Sequence, residues 1–226
     1  LLGLSASQVF YPSAAREYQE KGRVDVSYEE IFHLLSVTST FPLACIGFFG
    51  APLFAFVFGQ EWREAGLYAQ YMTPWILIAL YAAPISSIFI IANLAHICFW
   101  YNISFIIVST IGIMIGAYYE NTSLSIFLFA IGSFFINSVQ MIHCISIGHG
   151  KTKKLVWKIV VELSTAIAIL LPIYIILRNK DPWPITIATL FVAGIIYYAF
   201  LFYRDDKLRK MLINYYLKQI KIKFTL

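Results

Sequence analysis

The residues of this chain that could do chemistry lie inside apolar surroundings, at helical spacing. His33, Ser36 and Thr40 run into Pro42, and Gln70, Thr73 and Tyr81 are spaced around Pro74. Ser133, Asn137, Gln140 and Cys144 follow one another at offsets of four, three and four. Residues three or four apart share a helix face, so each set forms one polar stripe. Hydroxyls, amides and an imidazole can hydrogen-bond a polar cargo such as a sugar without breaking a bond in it. Two compatible readings stand. The stripes are walls of a common wet cavity, or they hydrogen-bond one helix to the next inside a packed bundle, at about 0.6 kcal/mol per contact.

Two charges also lie within apolar sequence, Lys158 and Glu162. Either alone costs about 2.5–3.5 kcal/mol at the centre of a membrane helix, but four residues apart they share a face and can pair. Lys158 can also snorkel toward Lys151, Lys153 and Lys154. Glu162 lies about 12 Å beyond Lys154 along a helix axis, too deep for so short a side chain to reach water. A structural ion pair is the leading reading, and a proton or substrate site the alternative. Catalytic patterns are missing. The four histidines form no H-E-x-x-H set, and no paired carboxylates or nucleophile–base spacing occurs. His143 precedes Cys144, but neighbours in sequence point about 100° apart on a helix. Cys45, Cys98 and Cys144 are too scattered for a disulfide framework or a metal site. The chain therefore reads as a binding protein, not an enzyme, with no cofactor and no metal.

Those stripes need long apolar helices to hold them. The hydrophobic fraction is 60%, the charged fraction 13% and the mean hydropathy +0.74. Runs of about 20 apolar residues suffice for a helix to cross ~30 Å of hydrocarbon. Six crossings are expected, at 31–58, 65–93, 98–119, 124–146, 155–177 and 185–203, giving an all-α polytopic membrane bundle. The connections are short, so successive helices pack as antiparallel neighbours. The first two crossings are long and contain Pro42 and Pro52, then Pro74 and Pro84. Interior prolines free backbone carbonyls and mark bends, so Pro42, Pro74 and Pro84 are hinge candidates. Gly112 and Gly116 allow close approach of a neighbouring helix.

Of the 17 Lys and Arg, all but Arg63, Arg178 and Lys180 fall on one side of these six crossings. That bias places the 147–154 connection and the C-terminal tail in the cytoplasm. The tail carries Leu208, Met211, Leu212, Tyr215 and Tyr216 on one helical face, interspersed with Lys207, Arg209, Lys210 and Lys218. It reads as a basic amphipathic segment lying on anionic lipid. Topology already accounts for the basic charge, so no nucleic-acid partner is implied. The chain opens on Leu1 rather than Met, and its first residues resemble the end of another membrane helix closed by Pro12, as expected for a piece of a longer protein.

A resemblance adds to this. QVFYPSAAREYQEKGR (8–23) is similar to a helix exit in the polysaccharide flippases of the MATE-like superfamily, where an apolar helix meets Pro, small residues and Arg. The next two helices, FPLACIGFFGAPLFAFVFGQEW and REAGLYAQYMTPWILIALYAAPISSI, resemble that family in a Pro-bearing helix, a Phe-Gly-x-x-Trp turn, Ala-Gly and a Pro–Ser end. The matching positions are Phe58, Gly59, Trp62, Ala65, Gly66, Pro84 and Ser86. The resemblance spans about the first 90 residues and extends to the rest only in helix count. It departs at ANLAHICFW, which lacks the Gly and basic residues often found there. It implies an exporter of polyprenyl-diphosphate-linked oligosaccharide, built from two lobes of six helices, often with two more. On that scheme 1–14 ends a preceding helix and 15–30 is a cytoplasmic connection. Residues 31–146 supply the last four helices of the second lobe, 147–203 the extra pair, and 204–226 the tail. The partners implied are the lipid-linked oligosaccharide and an N-terminal lobe, and the location a bacterial inner membrane. Rivals are a drug or cation antiporter of the same superfamily, and a membrane-embedded glycan polymerase or ligase. An antiporter should show deep carboxylates, and only Glu162 qualifies. A polymerase should have a long external loop bearing Arg, His or Glu, and no connection here is long enough.

Overall fold

In hydrocarbon every backbone N–H and C=O needs a partner within the protein, a demand that a helix meets from its own segment. The computed structural model describes residues 2–177 and 183–204, and its elements there are helical throughout. They are α1 (Leu2–Lys21), α2 (Asp25–Phe58), a one-turn 3-10 segment (Gln60–Trp62), α3 (Arg63–Ile85), α4 (Ile88–Ile91), α5 (Ala95–Tyr118), α6 (Thr122–Ile147), α7 (Thr152–Leu177) and α8 (Trp183–Arg204). Among the described residues six segments are long and apolar enough to cross a membrane: α2, the stretch from the 3-10 turn through α4, and α5 to α8. The chain is an all-α, multi-pass membrane protein. The amphipathic tail beyond Arg204 lies outside the described residues, as do Arg178 and Lys180.

The first helix does not stop at Pro12 but continues to Lys21. The proline removes only the bond to the Gln8 carbonyl, and both residues are exposed, so that loss is tolerated. The connection contracts to 22–24, where Gly22 takes a left-handed φ of 66°. Next, α2 starts at Asp25 although Val24, its N-cap residue, has no capping side chain. Glu17 supplies the cap from the preceding helix. Its carboxylate accepts from Val26 N–H at 3.1 Å, Ser27 N–H at 2.9 Å and the Ser27 hydroxyl at 2.8 Å, engaging two N–H groups of the first turn that lack helical partners. Burial pushes the Glu17 carboxyl up, but the bonds from Ser27 and Val26, helped by the Lys21 cation, outweigh it. The group is held below its ordinary value of 4.5.

Three helix ends close on a residue in the left-handed region: Asn93 after α4, Glu120 after α5 and His149 after α6. In each case the following amide bonds back five residues, Leu94 to Phe89, Asn121 to Gly116 and Gly150 to Ile145, which satisfies a carbonyl of the last turn.

The chain divides into two compact units, Leu1–Ala168 and Ile169–Leu226. Within the first, α2 packs along α3, α3 against α6, and α6 along α5, while α1 covers parts of α2 and α3. Its core gathers Phe10, Val24, Tyr28, Phe32, Tyr81, Phe89, Cys144 and Ile159. The α5–α6 seam is close: a Cβ on Gly112 would lie 2.9 Å from the Leu128 carbonyl carbon, and one on Gly116 would overlap the Ser125 backbone. The expected role of these two glycines in packing is thus met by a named neighbour. Within the second unit, Leu170, Ala193, Tyr197 and Leu201 are buried.

Candidate functional site

The polar stripes of α2 and α3 face each other. His33, Ser36, Thr40, Thr73 and Tyr81 are all buried. The Thr40 and Tyr81 hydroxyls approach to 3.4 Å across the seam, and the Ser36 hydroxyl donates to the His33 carbonyl at 3.0 Å. Thr73 donates to its own Ala69 carbonyl at 2.8 Å and lies against Gly47.

Further along, α2 breaks. Phe49 leaves the helical region, at φ −123° and ψ 17°, and three residues on Pro52 has no N–H to give to the Phe48 carbonyl. Gln70 of α3 replaces it: its Nε2 donates to the Phe48 carbonyl at 3.0 Å and to the Gly47 carbonyl at 3.1 Å. Just beyond, the two backbones nearly touch. A Cβ on Gly50 would stand 2.6 Å from the Gly66 carbonyl oxygen, and one on Gly66 would overlap the Gly50 carbonyl. Of the three hinge candidates, Pro42 lies in regular helical backbone, Pro74 deprives the Gln70 carbonyl of its helical donor, and Pro84 falls at the last turn of α3. Ser87 then donates to the Pro84 carbonyl at 2.9 Å, and Ser86 to the Ala83 carbonyl at 2.7 Å.

The third stripe separates along α6. Ser133 is buried against α5, 3.2 Å from the Ser109 hydroxyl, and Asn137 donates to the Ser133 carbonyl at 2.9 Å. Gln140 is half-buried. Cys144 is buried in the core, where its carbonyl accepts from the Tyr28 hydroxyl at 2.6 Å. His143 faces another way and lies 3.0 Å from the Tyr101 hydroxyl. The structure thus brings the first two stripes into one hydrogen-bonded seam, while the third lies along α6 and divides between α5 and the core.

Glu162 is buried, at 3% exposure, on the face of α7 that also carries Leu155, Ile159 and Ala166. Lys158, one turn earlier, is half-buried. Lys154, in the first turn of α7, pairs with Glu29 of α2 at 2.5 Å, and in the first connection Val24 N–H donates to the Gly148 carbonyl at 3.0 Å. Among the described residues no group of three or more His, Cys, Asp or Glu could hold a metal.

Two residues central to this arrangement were not singled out from sequence for the part they play. Glu17 acts as a cap from another helix, a role that arises only when α1 docks on α2 and leaves no signal in the sequence. Gln70 braces the backbone rather than standing alone in a polar stripe, and its signal was Pro52, which must orphan a carbonyl. No protein-family model, curated protein or solved structure matches the chain.

Proposed function

We propose that the chain forms the second lobe of an exporter that flips polyprenyl-diphosphate-linked oligosaccharide repeat units across a bacterial inner membrane, by alternating access, for surface polysaccharide biosynthesis. The observation that carries the reading is the α2–α3 pair: α2 breaks at Phe49, the Phe48 carbonyl that Pro52 frees is held by the Gln70 side chain of α3 rather than by backbone, and α3 itself carries Pro74. Broken helices of this kind recur where transporters bind and move. The resemblance at residues 8–87 supplies the cargo class, and the half-buried amides Asn137 and Gln140 on α6 suit sugars, whereas the α2 and α3 stripes are taken up in their shared seam. The partners on this reading are the lipid-linked oligosaccharide, an N-terminal lobe that completes the cavity, and anionic lipid beneath the basic tail.

The test is genetic. Deleting the full gene is expected to trap lipid-linked repeat units on the cytoplasmic face and abolish the surface glycan. Replacing Asn137 and Gln140 together by Leu should weaken export while the protein still inserts. The buried Glu162 favours one rival, a drug or cation antiporter of the same superfamily, since such carriers couple to ions through deep carboxylates. Normal glycan with lost resistance to cationic drugs in the deletion strain would select that reading.

A further inference from the structure

We propose that residues 50–73, comprising the end of α2, the 3-10 turn and the start of α3, move as one rigid hairpin about a pivot at Gln70. Rigidity within the hairpin comes from its crossing. Gly50 and Gly66 are so close that neither position has room for a Cβ, so the two helical arms of the hairpin cannot slide past each other without separating. Its tip is tied by the rings of Phe54, Phe58 and Trp62, spaced 5.6 Å and 5.7 Å apart, and by the amide of Gly59 bonded to the Ala55 carbonyl.

Weakness is concentrated at its base, and on both helices at one level. On α2 the backbone departs from the helix at Phe49, and Pro52 removes the N–H that would have bridged the break to the Phe48 carbonyl. On α3 Pro74 removes the N–H that would have met the Gln70 carbonyl. Gln70 therefore sits on both interruptions: its own carbonyl loses its helical donor to Pro74, and its side chain holds the Gly47 and Phe48 carbonyls. A helix bends where its hydrogen-bond ladder is interrupted. A ladder completed by a side-chain amide can be remade at a slightly different angle, which a backbone bond cannot. Because Gln70 belongs to α3 and the carbonyls to α2, bending of one helix is coupled to bending of the other. The inference concerns movement, and it stands whether or not the cargo is a lipid-linked glycan.

The experiment measures distances between nitroxide labels in the full-length protein in lipid nanodiscs, with Cys45→Ala, Cys98→Ala and Cys144→Ala as background. One pair, Val26→Cys with Gln60→Cys, spans the pivot. The other, Phe56→Cys with Glu64→Cys, lies inside the hairpin. All four sites are exposed. Gln70→Leu is expected to broaden the spanning distribution about twofold, as a freed hinge would, and to leave the internal pair unchanged. Pro52→Ala returns a backbone donor to the Phe48 carbonyl, so in combination with Gln70→Leu the broadening should shrink. An unchanged spanning distance in Gln70→Leu, equal broadening of the internal pair, or no relief by Pro52→Ala overturns the proposal. If Gln70→Leu does not accumulate, Pro52→Ala alone decides: it should narrow the spanning distribution, and an equal or wider one refutes the pivot.

Discussion

Glu17 and Glu162 are both buried carboxylates, and their surroundings give them different tests. Glu17 accepts three hydrogen bonds at the start of α2, where a helix also favours negative charge. Its removal in Glu17→Ala should cost about 1–2 kcal/mol. Because its folded value is depressed below 4.5, its contribution is fully present above the unfolded value and fades as pH falls through the folded one. Thermal unfolding in detergent, followed from neutral pH to below 4.5, should fall more steeply for the wild type than for Glu17→Gln. Parallel curves would mean the carboxylate's charge is immaterial. For Glu162 the question is coupling. Glu162→Ala alone, which leaves Lys158 behind, should reduce stability by about 3–5 kcal/mol, and the double change Lys158→Ala with Glu162→Ala by less. Strictly additive losses in a double-mutant cycle would end the pairing idea.

Helices were legible in the sequence because hydrocarbon enforces length and apolarity. Their interruptions were less so. Pro42, Pro52, Pro74 and Pro84 are equal as letters, yet the backbone leaves the helical region at Phe49, three residues before Pro52, while it stays regular through Pro42. A kink forms where the freed carbonyl finds another donor, and Gln70 is within reach of Phe48 only after α2 and α3 have docked. The same holds for the stripes. Their spacing revealed a face on each helix, but whether Ser133 meets Ser109 or Thr40 meets Tyr81 depends on register between helices. Gly112 and Gly116 were readable as packing residues because a small-residue pair four apart has a geometric meaning of its own. The α2–α3 crossing makes a quantitative forecast. Gly66→Ala places a methyl group on the Gly50 carbonyl and should destabilise by about 1–3 kcal/mol through overpacking. Exposed Ala117→Gly on α5, by contrast, should cost about 1 kcal/mol or less through helix propensity alone. Equal losses on detergent melts would show that α2 and α3 do not cross at that point.

For the whole molecule, the six segments among the described residues that are long and apolar enough to cross a membrane would give an even number of crossings between the first connection and Arg204, and the basic residues would then set direction. Single cysteines at Thr152 and Thr225 should react with an impermeant thiol reagent only from the cytoplasmic side, and one at Gln60 only from outside. Labelling of the Thr152 position in intact cells would reverse the orientation.

Movement of a lipid-linked oligosaccharide between leaflets is the central claim, and it can be measured without a cell. The purified full-length protein is reconstituted into vesicles carrying polyprenyl-diphosphate oligosaccharide on both leaflets, and an impermeant glycosidase is added outside. The account predicts that protein-containing vesicles expose their inner-leaflet oligosaccharide to the enzyme and protein-free vesicles do not. Equal protection of the inner pool in both preparations, with intact protein in the membrane, would contradict it.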